Sequence, residues 1–253
     1  MVIDLQRAGM WKRLAAWMFD SILVAILAVG LGFALSAMLD YDGWNQKLDQ
    51  AYAKYETAYG VVFDISQEEY EAKTPEEKKT WEEAYAALIA DESAMEAYNM
   101  MISLTMVITT LGILGSFLIL EFAVPIWLKE GRTVGKLIFG LALMREDGVR
   151  VNNLQLFVRT LLGKFTLETM VPVCIIILIF FNAMGLNGTL ILAALLVGQS
   201  ASVGLTRGNK AIHDLLAGTV CVDFNSQLIF ESSEALLEYK KKLAAQRAAA
   251  ANY

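Results

Sequence analysis

From Leu14 to Leu39 the chain is apolar for long enough to cross a bilayer, and a single carboxylate, Asp20, lies inside the run. About 20 apolar residues rising 1.5 Å each cover a hydrocarbon core of ~30 Å. A carboxylate at that depth must face protein, water or a counter-charge. Arg13 stands at the entrance of the run, seven residues before Asp20. That is roughly two helical turns, so both side chains leave the same helix face about 10 Å apart. The rest of the chain is then constrained to supply a polar environment to this one face.

Composition agrees with a membrane assignment. The 253 residues are 56% hydrophobic, and the apolar residues come in blocks instead of alternating at period 2 or 3.6. The fold class expected is an all-α membrane protein: four transmembrane helices, an extracytoplasmic helical insert and short cytoplasmic β or re-entrant elements. Residues 1–39 hold the N-terminus and first span, 40–99 the acidic insert, and 100–127 the second span. Residues 128–166 form a cytoplasmic loop with a β-hairpin and an interfacial helix. Residues 167–205 form a hairpin of spans three and four, and 206–253 a C-terminal re-entrant or interfacial segment with a cytoplasmic tail. Cleavage of residues 1–39 as a leader is disfavoured, because the apolar run is too long for a usual signal sequence and carries an acid.

The insert holds fifteen Asp/Glu, five Lys and no Arg, yet it is punctuated like helices. A helix from Trp44 ends at Gly60, a natural C-cap. Ser66 with Glu69, and Thr74 with Glu77, read as capping boxes, the second with Pro75 at the first helical position. From Pro75 the pattern continues directly into the second span. In the 128–166 loop, Leu141–Arg145 reads as a strand, Glu146-Asp147-Gly148 as a turn and Val149–Val151 as the returning strand. Asn153 is the expected cap of an amphipathic surface helix, and Ser233 that of a C-terminal helix. The N-terminus, the 128–166 loop and the tail hold sixteen of the 21 Lys/Arg, which places them in the cytoplasm and the insert outside.

Several function classes are excluded. His213 is the only histidine, so a multi-histidine metal site is impossible, and Cys174 and Cys221 fit no metal motif. There is no Walker motif, dinucleotide fingerprint or nucleophile context, so the chain reads as a non-enzyme with no cofactor and no metal. No basic aromatic patch supports nucleic-acid binding.

Three stretches, AGMWKRLAAWMFD, EGRTVGKLIFGLALMREDG and AIHDLLAGTVCVDF, resemble the RDD family of prokaryotic membrane proteins. The family is named for one Arg and two Asp, which map onto Arg13, Asp20 and Asp214. The resemblance covers residues 8–39 and about 117–224 in the right order. It includes Gly131, Thr133, Gly135 and Lys136 in the loop, and His213, Asp214, Ala217, Gly218 and Thr219 near the end. Val134 stands where members often have Pro, and the insert is longer than the family's usual loop. The resemblance implies an inner-membrane protein with both termini cytoplasmic, in a family for which antiport has been proposed.

Two readings of the constellation stay open. In one, Arg13 bridges Asp20 and Asp214 as a buried staple fixing the C-terminal segment to the first span. In the other, one acid is a proton or cation site on a path with Glu121 and Glu168. Glu121 is the stronger functional acid, because a helix C-terminal half does not welcome negative charge. Glu168 at the start of a span suits a helix N-terminus. His213 reads as a capping or hydrogen-bonding group ahead of a proton shuttle, and Gly131–Lys136 as a turn at the membrane surface. The function expected is cation/proton-coupled secondary transport, with a monovalent cation and a proton as substrates and a homo-oligomer as the working unit. The alternative is a non-catalytic adaptor or regulator that presents the 40–99 insert to an envelope protein.

Overall fold

The structure, a computed structural model, describes residues 8–128, 131–206 and 210–251. Among the described residues, four helices are long and apolar enough to cross a membrane: Met10–Met38, Glu92–Trp127, Asn153–Phe180 and Gly185–Ser202, the last continuing to Leu205. Large apolar side chains stand exposed along them, Trp17, Ile26, Phe33, Trp127, Phe180 and Val197 among them. Contiguous apolar surface of this kind needs lipid or protein to cover it.

The chain divides into two compact units, Gly30–Leu111 and the remainder. In the first, the helix Tyr41–Tyr59 packs on Pro75–Ala90. The local signals act as read. Gly60 closes the first helix at φ 64, and Ser66/Glu69 and Thr74/Glu77 both form reciprocal capping boxes. The helix from Pro75 does not run on into the second span: it stops at Ala90, and a new helix begins at Glu92. Asp91 makes the break, its carboxylate accepting from the Ser93 N–H at 3.0 Å and the Lys54 ammonium at 2.8 Å. The Lys54 ammonium, with the hydroxyls of Ser93 and Tyr55, holds that carboxyl below its ordinary range.

The second unit is built around a two-stranded antiparallel sheet. Strand β1 (Leu141–Arg145) pairs with β2 (Thr219–Asp223), with Leu143 opposite Cys221. The expected hairpin with Val149–Val151 forms only in part, and the main partner of β1 is β2. The turn forms, with Gly148 at φ 92 and the Arg145 N–H donating to the Val149 carbonyl at 2.8 Å, and Arg150 bridges back to Met144 before the pairing ends. The reason is burial on both faces. Leu141, Leu143 and Cys221 pack with Ala16 of the first span and Leu156, while Ala142, Met144, Val220 and Val222 pack on the opposite side. Val149 and Val151 are buried as well, but Arg150 between them is not, so the longer pairing goes to the more fully buried β2. The segment expected to be re-entrant is a short helix, Ile212–Ala217, leading into β2.

The expected surface helix is likewise part of the third span, which is unbroken from Asn153 to Phe180. Its cap is Asn152, one residue earlier than read, and Ser232 rather than Ser233 caps the last helix. Within the second and third spans, Phe117–Ala123 and Val158–Met170 are π-helical. Their backbone bonds run i to i−5, as from Val124 to Ile119 and from Val171 to Thr166. Such wide turns recur at functional sites. Here they set Arg159, Thr160, Gly163 and Lys164 on one buried stripe.

Candidate functional site

Four polar nodes surround a cavity of about 590 Å³ in the second unit. At the first, Asp20 receives the Thr133 hydroxyl at 2.5 Å and the Gly135 N–H at 2.7 Å. The Lys136 ammonium lies 4.0 Å from the same carboxylate and donates to Thr133 at 3.1 Å. This gives the loop motif a physical meaning. Gly131 turns the chain at φ 62, and Thr133 caps the short helix Val134–Ile138. Gly135 has no side chain because a Cβ there would lie 2.4 Å from the Ala16 carbonyl oxygen. Burial, with the neighbouring charges of Lys164 and Arg159, lowers Lys136 to about 8.

At the second node, Asp214 is only 1% exposed and accepts from Arg159 Nε at 3.0 Å, from Thr219 at 3.1 Å and from Arg13 at 3.4 Å. Burial opposes its charge, but Arg159, His213 and Arg13 outweigh burial and hold the carboxyl below its ordinary range. At the third node, the Lys164 ammonium donates to Glu121 at 2.6 Å, and Thr160 donates to the Glu121 backbone carbonyl at 3.0 Å. At the fourth, His213 gives its backbone N–H to Glu168 at 3.0 Å and places Nδ1 2.7 Å from the same carboxylate. Its Nε2 lies 3.6 Å from Asp214. Burial and the Arg159 charge lower the imidazole below its ordinary value, against the pull of Asp214 and Glu168.

The sequence-identified residues thus divide between nodes. Arg13 reaches Asp214, while Asp20 is held by Thr133 and Gly135, so the single guanidinium expected to bridge both acids is replaced by two separate arrangements. Glu121 is buried against Lys164. Glu168 lies in the body of the third span and not at a helix start, and its described hydrogen bonds go to His213. Sequence reading missed Arg159 and Lys164 as site residues. Their signal was present: two cations five residues apart in an apolar stretch, followed by Glu168. Spacing of five leaves the 3.6-residue stripe but fits a π-helix.

The arrangement gathers acidic and basic side chains around a cavity that is also lined by apolar Leu14, Trp17 and Leu196 and by the polar Gln199 and Ser200. Among the described residues no three His, Cys, Asp or Glu side chains converge as a metal-holding group. Proton exchange within the His213–Glu168 pair and ion binding at the carboxylates are the chemistry such a site permits.

No curated protein matches the chain, and no solved structure does. The model of the RDD family matches residues 7–218, most of the chain and both ends of the constellation. With Arg13, Asp20 and Asp214 gathered on one cavity, the chain belongs to the RDD family, whose members are membrane proteins.

Proposed function

We propose that this RDD protein is a proton-coupled secondary transporter of a small monovalent cation, working as a homo-oligomer in the bacterial inner membrane, without enzymatic activity. The observation that carries the reading is His213, set between Glu168 at 2.7 Å and Asp214 at 3.6 Å on the wall of the cavity. Three acids already have strong partners: Asp20 has Thr133 and Gly135, Glu121 has Lys164, and Asp214 has Arg159. The His213–Glu168 pair is the exchangeable element. An imidazole kept neutral by burial takes a proton when the open side acidifies and then pairs with Glu168 as an ion; when it gives the proton up, the Glu168 carboxylate is left to meet a cation in its place. The charge bias of the loops supports cytoplasmic termini, although Arg159 and Lys164 leave that count because they face the cavity.

The test is flux in proteoliposomes with an internal pH dye. A sodium, lithium or potassium gradient drives proton movement in the wild type, and Glu168→Gln and His213→Gln abolish it while keeping a cooperative melt. Folded wild-type protein that moves no protons under any of the three gradients refutes the proposal.

A second reading, an adaptor that binds an envelope protein through the insert, is supported by Gly30–Leu111 forming a compact unit of its own. Replacing residues 42–97 with a short linker separates the two. Under the transport reading, flux survives the replacement.

A further inference from the structure

We propose that the insert carries a ligand site of its own: a cleft that binds a free quaternary or methylated ammonium compound through an aromatic box rimmed by carboxylates. The cleft has a volume of about 590 Å³ and lies wholly within the unit Gly30–Leu111. Four rings line it, Tyr52, Phe63, Trp81 and Tyr85. Phe63 is the hub. Its ring centroid lies 5.7 Å from Tyr52, 5.8 Å from Trp81 and 6.2 Å from Tyr85, at interplanar angles of 67°, 72° and 60°. Trp81 and Tyr85 also stack on each other, 5.2 Å apart at 16°, which covers one face of each; the ring surface left to the cleft carries the negative end of the quadrupole on its faces.

The remaining side chains favour the same ligand. Asp49, Glu56 and Asp64 also line the cleft, and no Lys or Arg does. Glu56 is fixed, its carboxylate accepting the Phe63 N–H at 2.8 Å. The Trp81 indole N–H is engaged with the Val62 carbonyl at 3.0 Å, which locks the ring plane. The cleft is flanked by three acids, with Tyr85 and Asp64 exposed, in a segment with fifteen Asp/Glu against five Lys. Quaternary ammonium groups are the ligands such boxes recognise, because their methyl groups spread the charge over several ring faces. The surrounding carboxylates disfavour any ligand that carries a phosphate beside the ammonium, so the occupant is a free cation and not a lipid headgroup.

The site is tested by calorimetric titration of the full-length protein in detergent with choline. The comparison is 3,3-dimethylbutan-1-ol, which has the same shape without the charge, and phosphocholine. Choline binds saturably, and the neutral alcohol and phosphocholine bind at least about ten-fold more weakly. Tyr85→Leu keeps apolar bulk and loses a ring, and Asp64→Asn loses a charge at an exposed position. Each weakens choline several-fold. Should Tyr85→Leu unfold the insert, Asp64→Asn carries the comparison alone. Absence of saturable choline binding overturns the proposal. So does equal affinity for choline and the alcohol, equal affinity for phosphocholine, or binding indifferent to Asp64→Asn.

Discussion

Gly163 is where the third span and the helix carrying His213 touch. A Cβ at 163 would lie 2.4 Å from His213 Cβ and 2.6 Å from its Cα, so the obstacle is partly backbone and cannot rotate away. Ordinary contact begins near 3.4 Å, and Gly163→Ala therefore requires the two elements to part by about 1 Å. Overpacking of this kind costs about 1–3 kcal/mol. The upper end applies, because the same displacement stretches the 3.0 Å Arg159–Asp214 and 2.7 Å His213–Glu168 contacts. The assay is a thermal melt in detergent, with the midpoint falling by roughly 6–12 °C at about 2–4 °C per kcal/mol for a chain of this length. Gly198→Ala is the matched control, since a Cβ there meets nothing within 4 Å, and its midpoint stays within about 2 °C of wild type. Equal melting of Gly163→Ala and Gly198→Ala would refute the packing argument and the close approach with it.

Gly135→Ala places a Cβ 2.4 Å from the Ala16 carbonyl oxygen and 2.9 Å from the Asp20 carboxyl, and displaces the N–H that binds Asp20. A loss of about 3 kcal/mol is expected in the same melt, and a neutral result would detach Asp20 from the loop. Lys164→Met leaves Glu121, 3% exposed, without the ammonium now at 2.6 Å, for a cost of about 3–5 kcal/mol. Glu121→Gln added to it recovers most of that loss, and a double-mutant cycle showing additivity would deny the pairing. Lys136 stands at about 8 in the fold against 10.5 in the unfolded chain, so the folded state binds fewer protons between those values. Stability from this group therefore rises with pH from about 8 to 10.5 and is at its lowest below 8, and Lys136→Met flattens that slope in melts across the window. His213, also lowered, is neutral in the fold where the unfolded imidazole protonates. Acidification through the ordinary histidine range thus lowers stability, and His213→Gln removes that dependence from the same melts.

What was legible in the sequence was local. The spans follow from apolar length, and Gly60, Ser66 and Thr74 act as caps because a cap needs only its neighbours within a turn. The partner of Leu141–Arg145 was not legible, because turn chemistry at Gly148 favours the nearest strand while two-sided burial selects Thr219–Asp223. Arg159 and Lys164 were placed on a membrane surface for a related reason. Period 3.6 sends them outward, and the π-helical stretch Val158–Met170 brings them in.

That inward turn decides the charge balance of the site. Arg13, Lys136, Arg159 and Lys164 stand against Asp20, Glu121, Glu168 and Asp214, four on each side, with His213 neutral. Taking charge out of water is costly enough that a buried set of this size is held near neutrality. On the proposed transport reading, a proton arriving at His213 breaks the balance, and a monovalent cation can replace that proton but not accompany it. The balance therefore favours one-for-one exchange. Imposing a membrane potential on proteoliposomes should leave the exchange rate unchanged, and a rate that climbs with the potential would mean that the eight charges do not act as one set.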